Sequence, residues 1–253
     1  MAALKLIIFD WEGTLVDRAC QGAVEGLLEV FARYRLMLTT PQVRATLGLP
    51  RYEQVRSLLE SPAVGQQFVL VHGRRWNEAD VLDVQHDLAA IHEASLARHC
   101  QLLPEVAPCL AELRQRGLAI GTTLDESRAL AEQLWDAARL QGFESDADLC
   151  SDDVPAGRPA PWMIFRLMER LDAFPPRAAV KVGDTPTDID EGRNAGCWCV
   201  GLASPAGEDG PPLVASPQQR LRAAGAHEVI ASLAELPAAL SRIEARLLAG
   251  EQP

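Results

Sequence analysis

The chain of 253 residues has no run of about 18 apolar residues, so no transmembrane helix is expected. Positive charge is scarce: 24 Lys and Arg stand against 35 Asp and Glu, a formal net charge of −11. A nucleic-acid backbone needs a basic face, and that balance argues against one. A small anionic ligand stays possible, because a few cations can set a local field. None of the six cysteines (Cys20, Cys100, Cys109, Cys150, Cys197, Cys199) forms a C-x-x-C pair, which removes the common zinc and dithiol arrangements. Cys197-Trp198-Cys199 reads instead as strand packing. No basic-then-apolar leader precedes the first strand, so a cytoplasmic protein with reduced thiols is expected. Repeats and low-complexity segments are missing too. The length allows one large domain, or a main domain with an insert.

What is present begins with Leu4-Lys5-Leu6-Ile7-Ile8-Phe9-Asp10-Trp11-Glu12-Gly13-Thr14, an apolar run that climbs into an acid and turns on a glycine. Such a run suits a strand buried on both faces of a parallel sheet, with Asp10 at its carboxyl end, where open α/β sheets bind ligands. Residues from about 18 to 100 read as helical throughout. Helical spacing runs over Gln21–Leu38, and Thr39-Thr40-Pro41 opens a second helix toward Leu47. The pattern resumes at Tyr52–Leu59, and a long amphipathic stretch follows from Asn77 to about His99.

From Val106 onward helix and strand alternate. Strands are expected at Gly117–Thr123, Leu149–Cys150, Ala178–Val182, Cys197–Leu202 and near Glu228–Ile230, with a polar Gly/Pro-rich loop at 203–217. Alternation of this kind predicts an α/β fold, a parallel sheet with helices on both faces. The helical block is an insertion after the first strand. The expected division is a core domain of residues 1–17 and 101–253 and a helical cap of 18–100.

Ala178-Ala179-Val180-Lys181-Val182-Gly183-Asp184 is a second apolar run that ends in an acid, and Asp188 follows four residues later. If the two strands are neighbours, Asp10 and Asp184 sit side by side and Asp188 leans in from the next helix. Three carboxylates that close repel one another unless a cation lies between them. Oxygen-only donors at a strand edge favour Mg²⁺ completed by substrate phosphate. Any one strand-end acid can simply cap a loop; the whole set, with its Gly-Thr and Gly-Asp turns, reads as a site.

Asp10-Trp11-Glu12-Gly13-Thr14 and Gly183-Asp184-Thr185-Pro186-Thr187-Asp188 resemble the motifs of the haloacid dehalogenase superfamily. Asp152–Met163, Lys181–Thr185, Glu191–Gly196 and Gly225-Ala226-His227 resemble its phosphonoacetaldehyde hydrolase (phosphonatase) branch. The resemblance spans essentially the whole chain and implies a Rossmann-like core with a helical cap. It implies Asp10 as the nucleophile that forms an aspartyl-phosphate, with Arg158 as the cation on the phosphate. It further implies Asp184 as a metal ligand, Asp188 as a second ligand or an orienter, and the Glu12 main-chain carbonyl as another ligand. Dimerisation through the cap is implied as well.

Three departures bear on activity. Where phosphonatases carry the cap lysine that forms a Schiff base, in Gly48-Leu49-Pro50-Arg51-Tyr52-Glu53-Gln54, this chain has Arg51, and Gln54 replaces the nearby histidine. A guanidinium cannot form that imine. Two residues after the nucleophile, phosphonatases have alanine and the superfamily's phosphatases have aspartate. Here Glu12 again offers a carboxyl for acid/base work, on a side chain one methylene longer. The position of the superfamily's phosphate-binding hydroxyl falls on Leu124; Thr123 can serve if the second strand ends a residue sooner, whereas alternation otherwise points it away. The expected activity is therefore a Mg²⁺-dependent phosphatase of a small organic phosphate, with Arg51, Tyr52 and Gln54 of the cap selecting the substrate. The alternatives are a phosphonate hydrolase by a non-imine route, or a degenerate phosphate-binding protein. Cys20 and the histidines His86, His92 and His99 read as packing or solvated residues, and Asp125 and Glu126 as the start of a helix.

Overall fold

A computed structural model describes residues 4–17, 20–47, 49, 51–203 and 216–253. Strands β1 (Leu6–Phe9), β2 (Ala119–Leu124), β3 (Ala147–Cys150), β4 (Ala179–Gly183), β5 (Trp198–Leu202) and β6 (Glu228–Ile230) form one parallel sheet in the order β3-β2-β1-β4-β5-β6. β1 and β4 are buried at every residue, as strands covered on both faces must be. The chain runs outward from β1 to β3, then returns to the other side of β1 as β4. That reversal is the topological switch point at which doubly wound sheets bind ligands.

The described residues fall into two units, an α/β unit of 4–17, 100–203 and 216–253 and a helical unit of 20–99. The helical unit holds α1 (Gln21–Arg33), α2 (Thr40–Arg44), α3 (Arg51–Glu60), α4 (Pro62–His72) and α5 (Glu78–Arg98). They enclose a core of their own, with Val30, Phe31, Leu36, Val55, Leu59, Phe68, Val81 and Val84 buried together. The first two helices end before the sequence pattern does, because Tyr34 and Ala45 close them. α4 fills the interval between Leu59 and Asn77.

In the α/β unit, α6 (Val106–Gln115), α7 (Arg128–Arg139), α8 (Trp162–Arg170), α9 (Pro186–Asn194), α10 (Pro217–Ala224) and α11 (Leu236–Leu248) alternate with the strands. Met163, Ile164 and Leu167 of α8 pack on Leu6 and Ile8 of one sheet face. Ile189 of α9 and Leu221 of α10 cover Cys199 on that same face. On the opposite face Arg246 of α11 lies over the ring of Trp198. Both thiols of the Cys197-Trp198-Cys199 segment are buried, and burial pushes the Cys199 thiol up to about 12, consistent with packing.

Two expected boundaries move. β2 starts at Ala119 because Gly117, with φ +73°, and Leu118 finish α6, their amides donating to the carbonyls of Arg114 and Leu113. It runs through Leu124, so it does not end early at Thr123. Asp125 and Glu126 lie outside α7, whose N-cap is Ser127 with its side chain accepting from the Leu130 amide. The loop read at 203–217 lies outside the described residues from 204 to 215. Among the described residues no helix is long and apolar enough to cross a membrane.

Candidate active site

β1 pairs with β4, Phe9 against Val182, so the acids that follow the two strands emerge side by side. The Asp10 amide donates to the Val182 carbonyl at 2.8 Å, which fixes the residue to the neighbouring strand. Beyond it the chain closes a tight turn, with Leu15 N donating to Trp11 O and Gly13 N to Val16 O, both at 2.8 Å. Gly13 takes φ +80°, and a Cβ there would land on the Asp184 carboxylate. Glycine is required at that point on both counts.

Carboxylate oxygens of Asp10, Asp184 and Asp188 lie within 4.8 Å of one another. Asp188 occupies the third position of α9, where the Thr185 hydroxyl and amide donate to its Oδ2 at 2.6 and 3.1 Å. Its Oδ1 receives Arg158 Nη1 at 2.8 Å and Lys181 Nζ at 3.3 Å. The same Arg158 Nη1 stands 2.6 Å from Asp10 Oδ1, while Nη2 donates to the Thr123 carbonyl at 2.8 Å.

Thr123 thus faces the cluster rather than away from it. Its hydroxyl, fully buried, accepts from Lys181 Nζ at 2.6 Å. Leu124 is buried, and the neighbouring Thr122 hydroxyl donates to Asp148 of β3. Two further side chains, which stand in the quoted motifs but were given no role there, complete the cluster. Lys181, in the middle of β4, is buried completely and stands 2.9 Å from Glu191 of α9, also buried completely. The signal was a lysine inside an otherwise apolar strand and an acid three residues past Asp188, on the same helix face.

The charges do not cancel. Among the described residues, the carboxyl groups of Asp10, Asp184, Asp188 and Glu191, with Glu12 near Asp184, outnumber the cations Arg158 and Lys181. Burial would push the Asp188 carboxyl up, but Arg158, Lys181 and Thr185 together hold it below its ordinary value. Asp10 goes the other way: burial, reinforced by the Asp188 charge, outweighs Arg158 and lifts it to about 6. Asp184 is also raised well above its ordinary value, by burial first, then by the charges of Asp10, Asp188 and Glu12. Asp10 and Asp184 are thus the two acids whose ionised form the site least favours. Their oxygens suit a hard divalent cation, and Asp188 lies in the same group although both its oxygens already accept hydrogen bonds.

The model of the haloacid dehalogenase-like hydrolase family matches residues 4–196. This chain belongs to that family. Among the relatives of this haloacid dehalogenase-like hydrolase, a phosphonoacetaldehyde hydrolase of Bacteroides fragilis is 37% identical, the match covering 98% of this chain and 99% of that one. A phosphonoacetaldehyde hydrolase-like protein of Syntrophobacter fumaroxidans is 33% identical, over 99% and 95% of the two chains. The crystal structure of a phosphonoacetaldehyde hydrolase-like protein from Oleispira antarctica superposes with a TM-score of 0.85 at 27% identity, over 99% of this chain and 96% of that one.

The remaining candidate residues lie in the helical unit. Arg51, Tyr52 and Gln54 all stand in the first turn of α3, and the Tyr52 hydroxyl donates to Glu78 at the start of α5. Cys20 is half-buried at the N-cap of α1, and His99 pairs with Glu25 at 3.1 Å. In the α/β unit, Asp125 is exposed, and its charge adds to those holding Arg158 firmly protonated.

Proposed function

We propose that this hydrolase is a Mg²⁺-dependent phosphatase of a small organic phosphate that works through an aspartyl-phosphate on Asp10. The observation that carries the reading is the Asp10 carboxylate at the sheet's switch point, 2.6 Å from Arg158 and grouped with Asp184 and Asp188 within 4.8 Å. Asp10 attacks phosphorus in line, and Arg158 neutralises charge on the equatorial oxygens. Glu12 gives its proton to the departing alkoxide, then takes one from the water that cleaves the acyl phosphate. Asp10, Asp184 and the Glu12 carbonyl would hold Mg²⁺, which offsets the charge of carboxylate and phosphate as they approach. Asp188 acts as the orienter of Arg158. The Thr123 hydroxyl, which accepts from Lys181, keeps its own proton to offer a phosphate oxygen.

Arg51 supplies a fixed positive charge, so the substrate carries a second anionic group such as a carboxylate. Tyr52 and Gln54 add polar selection. The same reading takes the protein as cytoplasmic and homodimeric, the latter checked by light scattering of the eluted full chain.

Carbon–phosphorus cleavage is the second reading, favoured by the name of the Bacteroides fragilis relative. Arg51 removes the imine route to it. Phosphate release separates the two. Release from p-nitrophenyl phosphate and phosphoglycolate, lost in Asp10→Asn and on chelation, supports the phosphatase. Release from phosphonoacetaldehyde alone, insensitive to borohydride, replaces it with the phosphonate hydrolase. Phosphate binding without turnover of either class makes the protein a degenerate binder.

A further inference from the structure

The chemistry above gives Lys181 no step, yet its ammonium is placed under the whole apparatus. It donates to the Thr123 hydroxyl at 2.6 Å and lies 2.9 Å from Glu191 and 3.3 Å from Asp188. Arg158 meets the same three residues from the other side: the Thr123 carbonyl at 2.8 Å, Asp188 at 2.8 Å, and Glu191 at 3.6 Å from Nε. Thr123, Asp188 and Glu191, which all bear on the guanidinium beside Asp10, are each tied to Lys181 as well. Its stem is fixed as well, since α9 comes so close at Gly192 that a Cβ there would stand 2.8 Å from Lys181 Cβ.

Stability alone does not account for the pair. Taking a lysine and a glutamate fully out of water is costly, and apolar side chains of similar volume often serve a core as well or better. We infer that Lys181 and Glu191 are a positioning pair. They hold Thr123 and Asp188, and through them set the plane of Arg158 against the phosphoryl group that Asp10 receives. This rests on the reading of Asp10 and Arg158 as the phosphoryl site.

The test uses the full chain with the double variant Lys181→Met/Glu191→Leu, which removes both charges at once and leaves the cluster's net charge as it was. Inorganic phosphate is titrated calorimetrically in the presence of Mg²⁺, beside kcat and KM for p-nitrophenyl phosphate. A guanidinium misplaced by about 1 Å predicts a fall in kcat of roughly 10²-fold and a phosphate Kd weakened about tenfold, with Mg²⁺ affinity unchanged. A folded double variant with wild-type phosphate Kd and kcat overturns the inference. Glu191→Gln, nearly isosteric, decides the matter if the double variant does not fold: it leaves the Thr123 hydroxyl in place but loosens the hold on Lys181. Wild-type phosphate affinity and kcat in Glu191→Gln overturn the inference too. Failure of the underlying reading looks different, since phosphate release would then survive Asp10→Asn while the variants' effect on phosphate Kd stood. Wild-type protein that binds no phosphate sinks both.

Discussion

Glu12 and Gly13 show how narrow the tolerances are around Asp10. A glutamate reaches about 1.5 Å beyond an aspartate, and an error of about 1 Å in a reacting group costs roughly 10²-fold. Glu12→Asp is therefore expected to raise kcat on p-nitrophenyl phosphate by about tenfold, and Glu12→Ala to lower it by about 10²-fold. A fall in kcat for Glu12→Asp would mean that the longer side chain is already well placed. At Gly13, φ +80° and the Asp184 carboxylate act together against any side chain. Gly13→Ala should cost about 1–2 kcal/mol in denaturant melts through the left-handed backbone alone. It should also displace Asp184 and weaken Mg²⁺ binding at least tenfold by calorimetry; unchanged Mg²⁺ affinity would remove Asp184 from the ligand set. At this scale the acids were legible because strand, acid and glycine recur in a pattern. Lys181 and Glu191 stood out only as residue types in odd places, since a lysine inside an apolar run does not tell which residue 58 positions away will meet it.

Among the secondary structure elements, α5 has an N-terminus built to a degree that its sequence only half reveals. Asn77 accepts from the Ala79 amide, and Asp80 returns the favour by accepting from the Asn77 amide at 2.8 Å. Arg74 adds a two-pronged ion pair to Asp80, both bonds at 2.7 Å. The Arg74 hydrogen bonds and the Asn77 amide outweigh desolvation and hold the Asp80 carboxyl below its usual 3.8. Asp80→Ala should cost the protein about 1–2 kcal/mol in urea melts at neutral pH. A carboxyl depressed in the folded state stabilises above its unfolded value and loses that contribution as pH falls through the folded one, so the gap between variant and wild type should narrow toward about pH 3. An equal gap at both pH values would assign the loss to packing. Most of the element order was readable, because apolar runs and helical spacing differ in period; α4 was expected only as part of a block that reads as helical throughout. The edges were less so. Whether Gly117 and Leu118 open β2 or close α6 depends on which carbonyls their amides find, whereas the face on which Thr123 lies follows from the register, Thr122 against Phe9.

For the chain as a whole, the unbalanced charge of the cluster couples folding to cation and proton alike. In the α/β unit the described acids of the cluster outnumber its cations, so a cation that binds among them binds the folded state and stabilises it. At a hundredfold excess over its Kd, Mg²⁺ should add about 2.7 kcal/mol. Protons compete for the same oxygens: burial lifts Asp10 to about 6 and raises Asp184 as well, so in acid both are held by hydrogen and the cation must expel it. The rise in Tm on adding Mg²⁺ should therefore be large near pH 8, shrink as pH drops through about 6, and be reversed by a chelator. Hydrogen exchange locates the effect. Protection should rise in β1, β4 and α9, which carry the cluster, and leave the core of α3, α4 and α5 as it was, because that core is closed within its own unit. A Tm shift that is the same at both pH values, or protection gained mainly in α3–α5, would place the cation somewhere other than between Asp10 and Asp184.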